Sequence, residues 1–129
     1  MALTVELSDY FKSIFTNFPH SDKEKIAGFI KHCQTHGFDG LPGKLKRSTD
    51  VPGQDPEYHV KVQFARENYL WHYHIGIPTY ERLNPLSNVL TSRYVLHFQR
   101  FPGDKVIRIL DLDDHDPMTL PKLRHMVKT

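Results

Sequence analysis

The chain has 129 residues, 39% of them hydrophobic, a formal net charge of +2 with its nine histidines neutral, and one cysteine. That length supports one domain burying roughly two-thirds of the surface its unfolded chain exposes, with no need of a metal or disulfide. A single Cys33 excludes an internal disulfide, the lack of a long apolar run after basic residues argues against a secretory signal or membrane span, and the expected location is cytoplasmic.

The N-terminal third reads as two helices. Ser8 can cap a first segment in which Phe11, Ile14, Phe15 and Phe18 share one face, ended by Pro19. Ser21 to Glu24 fits a capping box ahead of Ile26, Phe29, Ile30 and Cys33, and Gly37 sits where a glycine closes a helix. Leu41 to Arg47 reads as a short basic strand, followed by a Pro-rich acidic loop over Asp50 to Glu57. From Tyr58 the residues Tyr58, Val60, Val62 and Phe64 alternate with His59, Lys61 and Gln63, which predicts a strand that turns at Arg66 to Asn68. A second strand follows with Tyr69, Trp71, Tyr73, Ile75 and Ile77 on its apolar face, so His72 and His74 share the other. Pro78 to Asn88 reads as a loop. Tyr94, Leu96 and Phe98 then alternate with Arg93, His97 and Gln99, Phe101 to Asp104 makes a hairpin turn, and Lys105 to Leu112 is the closing strand. A brief helical turn is placed near Leu120 to Met126. The expected fold class is α+β: an N-terminal helical hairpin (about 8–36) packed on a mainly antiparallel twisted sheet of four to five strands (about 41–113), with a tail over 117–129, all one domain over 1–129.

The closing strand runs into Asp113, Asp114, His115 and Asp116, a polar end with no role in a core. Gly-rich phosphate loops, a Gly-x-Ser-x-Gly elbow and Cys pairs are missing, which disfavours kinases, dehydrogenases and nucleophilic hydrolases. Histidines His72 and His74 at spacing two on a strand can ligate zinc with Asp113, His115 or Asp116 as third ligand, although the same pattern often marks a solvated sheet face; the working expectation is no metal and no cofactor. Metal-free cleavage of RNA needs a base for the 2′-hydroxyl, cations for the charged phosphorane and an acid for the departing 5′-oxygen. His115, with His72 or His74 as partner, suits the proton transfers. Arg93, Lys44, Lys46 and Arg47 suit the phosphates, and Tyr94 or Tyr73 can stack on a base.

The element order, with the Lys44-Leu45-Lys46-Arg47 strand, Ser92-Arg93-Tyr94-Val95-Leu96-His97-Phe98 and the closing Val106 to Leu112 strand with its polar end, resembles the RelE superfamily of bacterial toxins and, among its branches, the YafO type. The resemblance covers roughly residues 10 to 117. It implies a RelE-like fold and the toxin of a type II toxin-antitoxin system: a metal-independent mRNA endoribonuclease, often ribosome-dependent, held inactive by a cognate antitoxin protein, with no membrane partner and no small-molecule cofactor. By position it implies that Arg93 binds the scissile phosphate, that His115 is the acid-base residue, that Lys44 and Lys46 form the basic first strand, and that Asp113 or Asp114 is an acidic neighbour. The competing expectation is a non-catalytic interaction protein, a gyrase-binding toxin relative or an immunity protein, using the acidic 111–116 end as its contact surface.

Overall fold

In a computed structural model the described residues are 2–116 and 118–129; Met1 and Pro117, where the tail was expected to begin, lie outside them. The first element is one the pattern reading passes over. Val5 and Leu7 alternate with Thr4 and Glu6, and the segment forms strand β1 (Thr4–Leu7). Ser8 then caps α1 (Asp9–Phe15), its Oγ accepting the Phe11 N–H at 3.1 Å. Phe11, Phe15 and Phe18 gather with ring centroids 6.0–6.2 Å apart, as the helical spacing requires. Ser8 is fully buried, so Ser8→Ala is expected to cost about 1 kcal/mol, read as a lower urea midpoint with an unchanged slope.

Helix α2 (His20–His36) begins one residue before the expected Ser21 cap. Pro19 takes the N-cap position, its carbonyl accepting the Asp22 and Lys23 N–H groups at 3.0 Å. Glu24 makes no capping box and pairs instead with His20 at 2.7 Å. Gly37, at φ 65°, ends the helix with its N–H on the Cys33 carbonyl.

The segment expected as a strand from Tyr58 is helix α3 (Tyr58–Glu67), following the short strand β2 (Leu45–Arg47). Alternation over seven residues did not decide the period, because Lys61, Phe64 and Ala65 also fall on one helical face. Asp55 tips the balance. Its Oδ1 accepts the Glu57 N–H at 2.8 Å and its Oδ2 holds Lys61 Nζ at 2.6 Å, which organises the first turn. Ala65 is fully buried while Val60 stays exposed, so the helix presents one face to the sheet. Tyr69 belongs to the connection, with φ 56°, and strand β3 begins one residue later (Leu70–Ile77). The expected loop after it holds a small ribbon, β4 (Glu81–Arg82) against β5 (Leu90–Thr91). Strands β6 (Tyr94–Arg100) and β7 (Val106–Asp114) are joined by the expected turn, with Gly103 and Asp104 at positive φ and the Asp104 N–H on the Phe101 carbonyl. A 3₁₀ turn spans Leu123–His125.

The fold is α+β, with a mixed, mainly antiparallel five-stranded sheet in the order β1-β7-β6-β3-β2; only the β1–β7 pair is parallel. One sheet face carries the main core. Tyr73, Ile75, Ile77, Leu96, Phe98, Ile107 and Ile109 meet Phe11, Ile26, Phe29 and Cys33, with the Phe29 ring stacked on Tyr73 at 5.0 Å. Each fully buried side chain of this size contributes about 1.5–3 kcal/mol. Helix α1 contacts β7 and the 3₁₀ turn, while α2 contacts β1 and β3. The opposite face has only a small core, Ala65, Leu70, Leu110 and Met126, under α3 and the C-terminal segment. On that face, away from the main core, lie the strand histidines His72, His74 and His97. No helix among the described residues is long and apolar enough to cross a membrane.

Candidate functional site

Period-two geometry places Trp71 and Tyr73 toward the main core and His72 and His74 on the other face of β3. Register then stacks histidines across strands: His97 of β6 pairs with His72, and Lys46 of β2 pairs with His72 from the other side. His115 follows β7, and its N–H donates to the Arg93 carbonyl at 2.8 Å. Its ring lies against those of the β3 histidines. The His74 and His115 ring centroids are 4.7 Å apart, those of His72 and His115 5.6 Å, and those of His72 and His97 6.1 Å. One ring nitrogen from each of His72, His74 and His115 lies within 4.8 Å of the others.

Two partners fix the first pair. His72 Nδ1 is 2.9 Å from Ser48 Oγ, and His74 Nδ1 is 3.0 Å from the Ser92 carbonyl and 2.9 Å from its N–H. His72 Nε2 and both nitrogens of the fully buried His97 have no hydrogen-bond partner among the described residues. Close backbone approach also shapes the site. A Cβ on Gly43 would fall 1.9 Å from the His74 carbonyl oxygen, so only glycine lets this loop lie against β3.

His74 and His115 open into a cleft of about 650 Å³ whose walls include Lys44, Lys46, Arg93 and Asp114. Burial pushes His72 down to about 3, helped by the neighbouring His97, His115 and His74. Burial likewise lowers His74 and His97 to about 4, in the former against the Ser92 hydrogen bond. His115 is lowered by burial, opposed by Asp116 and assisted by Lys46 and Lys44. At neutral pH the cluster is a set of uncharged imidazoles, able to accept protons or ligate a metal.

The structure gathers His72, His74, His115, Arg93, Lys44, Lys46 and, of the two expected acidic neighbours, Asp114, and leaves Asp113, Arg47, Tyr94 and Tyr73 elsewhere. Asp113 shares the histidine face, paired with Val95, but its charge is felt at Tyr10 and the carboxylate beside His115 is that of Asp116. Arg47 points to the other face, its guanidinium 5.4 Å from the Trp71 ring centre, in a separate cleft with Arg66 and Arg100. Tyr94 packs against the main core with Arg93 across its ring at 5.2 Å. Tyr73 is buried, bonded through its hydroxyl to the Gly43 N–H and Tyr80, and cannot stack on a base. Sequence reasoning did not find the roles of Ser48, Ser92 and His97; only strand register brings these to the site.

Asp111, across from His97, is pushed up to about 6, first by burial and then by Asp113, against the Leu112 N–H it accepts. A raised carboxylate favours folding below its ordinary range and opposes it above about 6. Asp111→Asn is therefore expected to stabilise the protein at pH 7 by about 1–2 kcal/mol, after discounting for partial solvent access, and to have little effect near pH 3.5. Denaturant midpoints at the two pH values check it.

No protein-family model, no curated protein and no solved structure matches this chain.

Proposed function

We propose that this protein is an endoribonuclease that cleaves mRNA without a metal and acts as the toxin of a type II toxin-antitoxin system, associated with the ribosome and restrained by an antitoxin protein. The observation that carries the reading is the half-buried His115 imidazole in one cleft with Lys44, Lys46 and Arg93. The toxin context rests on the RelE-like order of the basic strand, the Arg93 strand and the closing strand.

The chemistry follows from what each group can do. A neutral His115 removes the 2′-hydroxyl proton, the 2′-oxygen bonds to phosphorus, and the bond to the 5′-oxygen breaks. Arg93 and Lys46 hold the phosphorane oxygens. A Lys46 or Lys44 ammonium gives the departing oxygen its proton and is recharged from protonated His115 through water. His74, held neutral by burial, positions His115 rather than acting as a standing acid. The cations are not locked away from a substrate. Lys46 pairs with Asp50 and Arg93 with Asp114, the latter at 2.9 Å with the arginine 67% exposed, and exposed pairs of this kind are worth about 0–1 kcal/mol. A phosphate can displace either carboxylate.

The competing reading, docking through the acidic end, needs those acids on one surface. Asp111 and Asp113 lie on the histidine face while Asp114 is spent on Arg93.

The test is induced expression in a bacterium with mapping of mRNA 5′ ends, followed by the purified, chelator-treated protein on ribosome-bound RNA. New ends in cells and cyclic 2′,3′-phosphate products in vitro are expected. A folded, expressed protein that makes no new ends, or one whose cleavage disappears with chelation, overturns the proposal.

A further inference from the structure

We infer that His72, His74 and His115 also form a binding site for a single divalent transition-metal ion of the zinc class, with three protein nitrogens and a fourth position open to the cleft. The argument is geometric and does not depend on the ribonuclease reading; with His115 ligated its nitrogen is no longer free to act as a base, so the metal-bound form is a state distinct from the metal-free one that would cleave RNA. Three ring nitrogens, one from each residue, already lie within 4.8 Å of one another. In a tetrahedral zinc site with Zn–N near 2.05 Å the ligand nitrogens stand about 3.3 Å apart, so closure needs a movement of no more than about 1.5 Å. The partly exposed His115, on the segment after β7, can supply it by side-chain rotation, whereas His72 and His74 are fixed on β3, a strand paired on both sides.

A second observation points the same way. His72 is 2% exposed, its Nδ1 is engaged by Ser48 Oγ, and its Nε2 has no partner, an arrangement that otherwise leaves a buried polar nitrogen uncompensated. His74 is held through Nδ1 as well, which lies 3.0 Å from the Ser92 carbonyl and accepts the Ser92 N–H at 2.9 Å, so what it shares with His72 is a ring whose direction is fixed. Imidazoles that donate Nδ1–H to a hydroxyl or carbonyl present their Nε2 lone pair in a fixed direction, which is how metal-binding histidines are usually oriented. The donor set has three nitrogens and no carboxylate, which suits Zn²⁺ or Co²⁺ and not Mg²⁺ or Ca²⁺. His74 and His115 reach the cleft, so a bound ion would keep water or a substrate oxygen at its fourth position.

The experiment is titration of chelator-treated full-length protein with Co²⁺, followed by visible absorption and by competition with Zn²⁺ and Mg²⁺. Expected are one equivalent bound, the intense visible band of tetrahedral cobalt, displacement by Zn²⁺ and none by Mg²⁺. His115→Gln, at a position that leaves both cores intact, should lower the affinity at least about 100-fold, and Ser48→Ala about 10-fold. The exposed, remote His20→Ala should bind like the wild type. Absence of the band, or undiminished affinity in the folded His115→Gln protein, overturns the inference. Neither readout involves RNA, so its failure and that of the ribonuclease proposal are separate results.

Discussion

Acidification from pH 7.5 to 5 is expected to remove on the order of 4 kcal/mol of stability, an unusual sensitivity for a domain of this size. The cause is imidazoles buried in their neutral form. His72 is held at about 3 and His74 and His97 at about 4, all well below the ordinary value of 6.5 that the unfolded chain retains. Below pH 6.5 the unfolded state therefore binds more protons than the folded one, and stability falls with pH until the folded values are reached. Each ring contributes about 2 kcal/mol between pH 6.5 and 5, so three give a limit of about 6. Asp111 works the other way. Its raised carboxylate relieves about 1–2 kcal/mol over the same interval, which leaves a net loss near 4. The fully buried His97 allows a direct check, since neither of its nitrogens has a partner. His97→Leu, of similar volume, should remove one ring's share of the pH dependence and stabilise the protein at pH 7.5 by about 1–3 kcal/mol. Urea unfolding at pH 7.5, 6.5 and 5 decides the matter: equal stabilities across the series, or an unchanged slope in His97→Leu, would refute this account.

That expectation was within reach of the sequence only in part. Period-two alternation assigned β3, β6 and β7 and put His72, His74 and His97 on the face away from the main core, as the structure has them. Alternation does not say how deeply a face is covered. A His-x-His strand often marks a solvated face, yet His72, His74 and His97 are buried, on the face where residues of α3 and the C-terminal segment pack against Leu70 and Leu110. Alternation also failed over Tyr58–Glu67, where the residues that matter are Asp55 and Lys61 at the helix start and the small Ala65 on its buried face. Strand β1 is only four residues long and pairs in parallel with β7 across the whole chain, a contact no local window reveals. The cluster itself needed register. Nothing in the spacing of 72, 74 and 115 says that β7 ends beside β3's histidines, and the Arg93 carbonyl that seats His115 belongs to a third segment.

For the chemistry, the sharpest expected result is a contrast between faces of one sheet. Replacing His115 by Ala should lower single-turnover RNA cleavage by about 10²–10⁴-fold, the range for loss of a general base. Arg93→Ala should cost about 10²–10³-fold through lost charge stabilisation, with little change in fold because its ion pair with Asp114 is exposed. Arg47→Ala should change the rate by less than about threefold, since that side chain lies over Trp71 on the opposite face and can only affect distant phosphates. The pH profile carries the sign of the mechanism. A base must be neutral to act, and burial lowers His115, so activity should stay level from pH 8 to 6.5 and decline only in more acid solution. Retention of more than about a tenth of wild-type activity by a folded His115→Ala protein would remove His115 from the mechanism. Equal losses in Arg47→Ala and Arg93→Ala would move the substrate to the other cleft. A rate that climbs steadily from pH 6.5 to 8 would assign the base to a group with a higher ionisation, such as a lysine of the β2 segment, and keep the cleft while changing its chemistry.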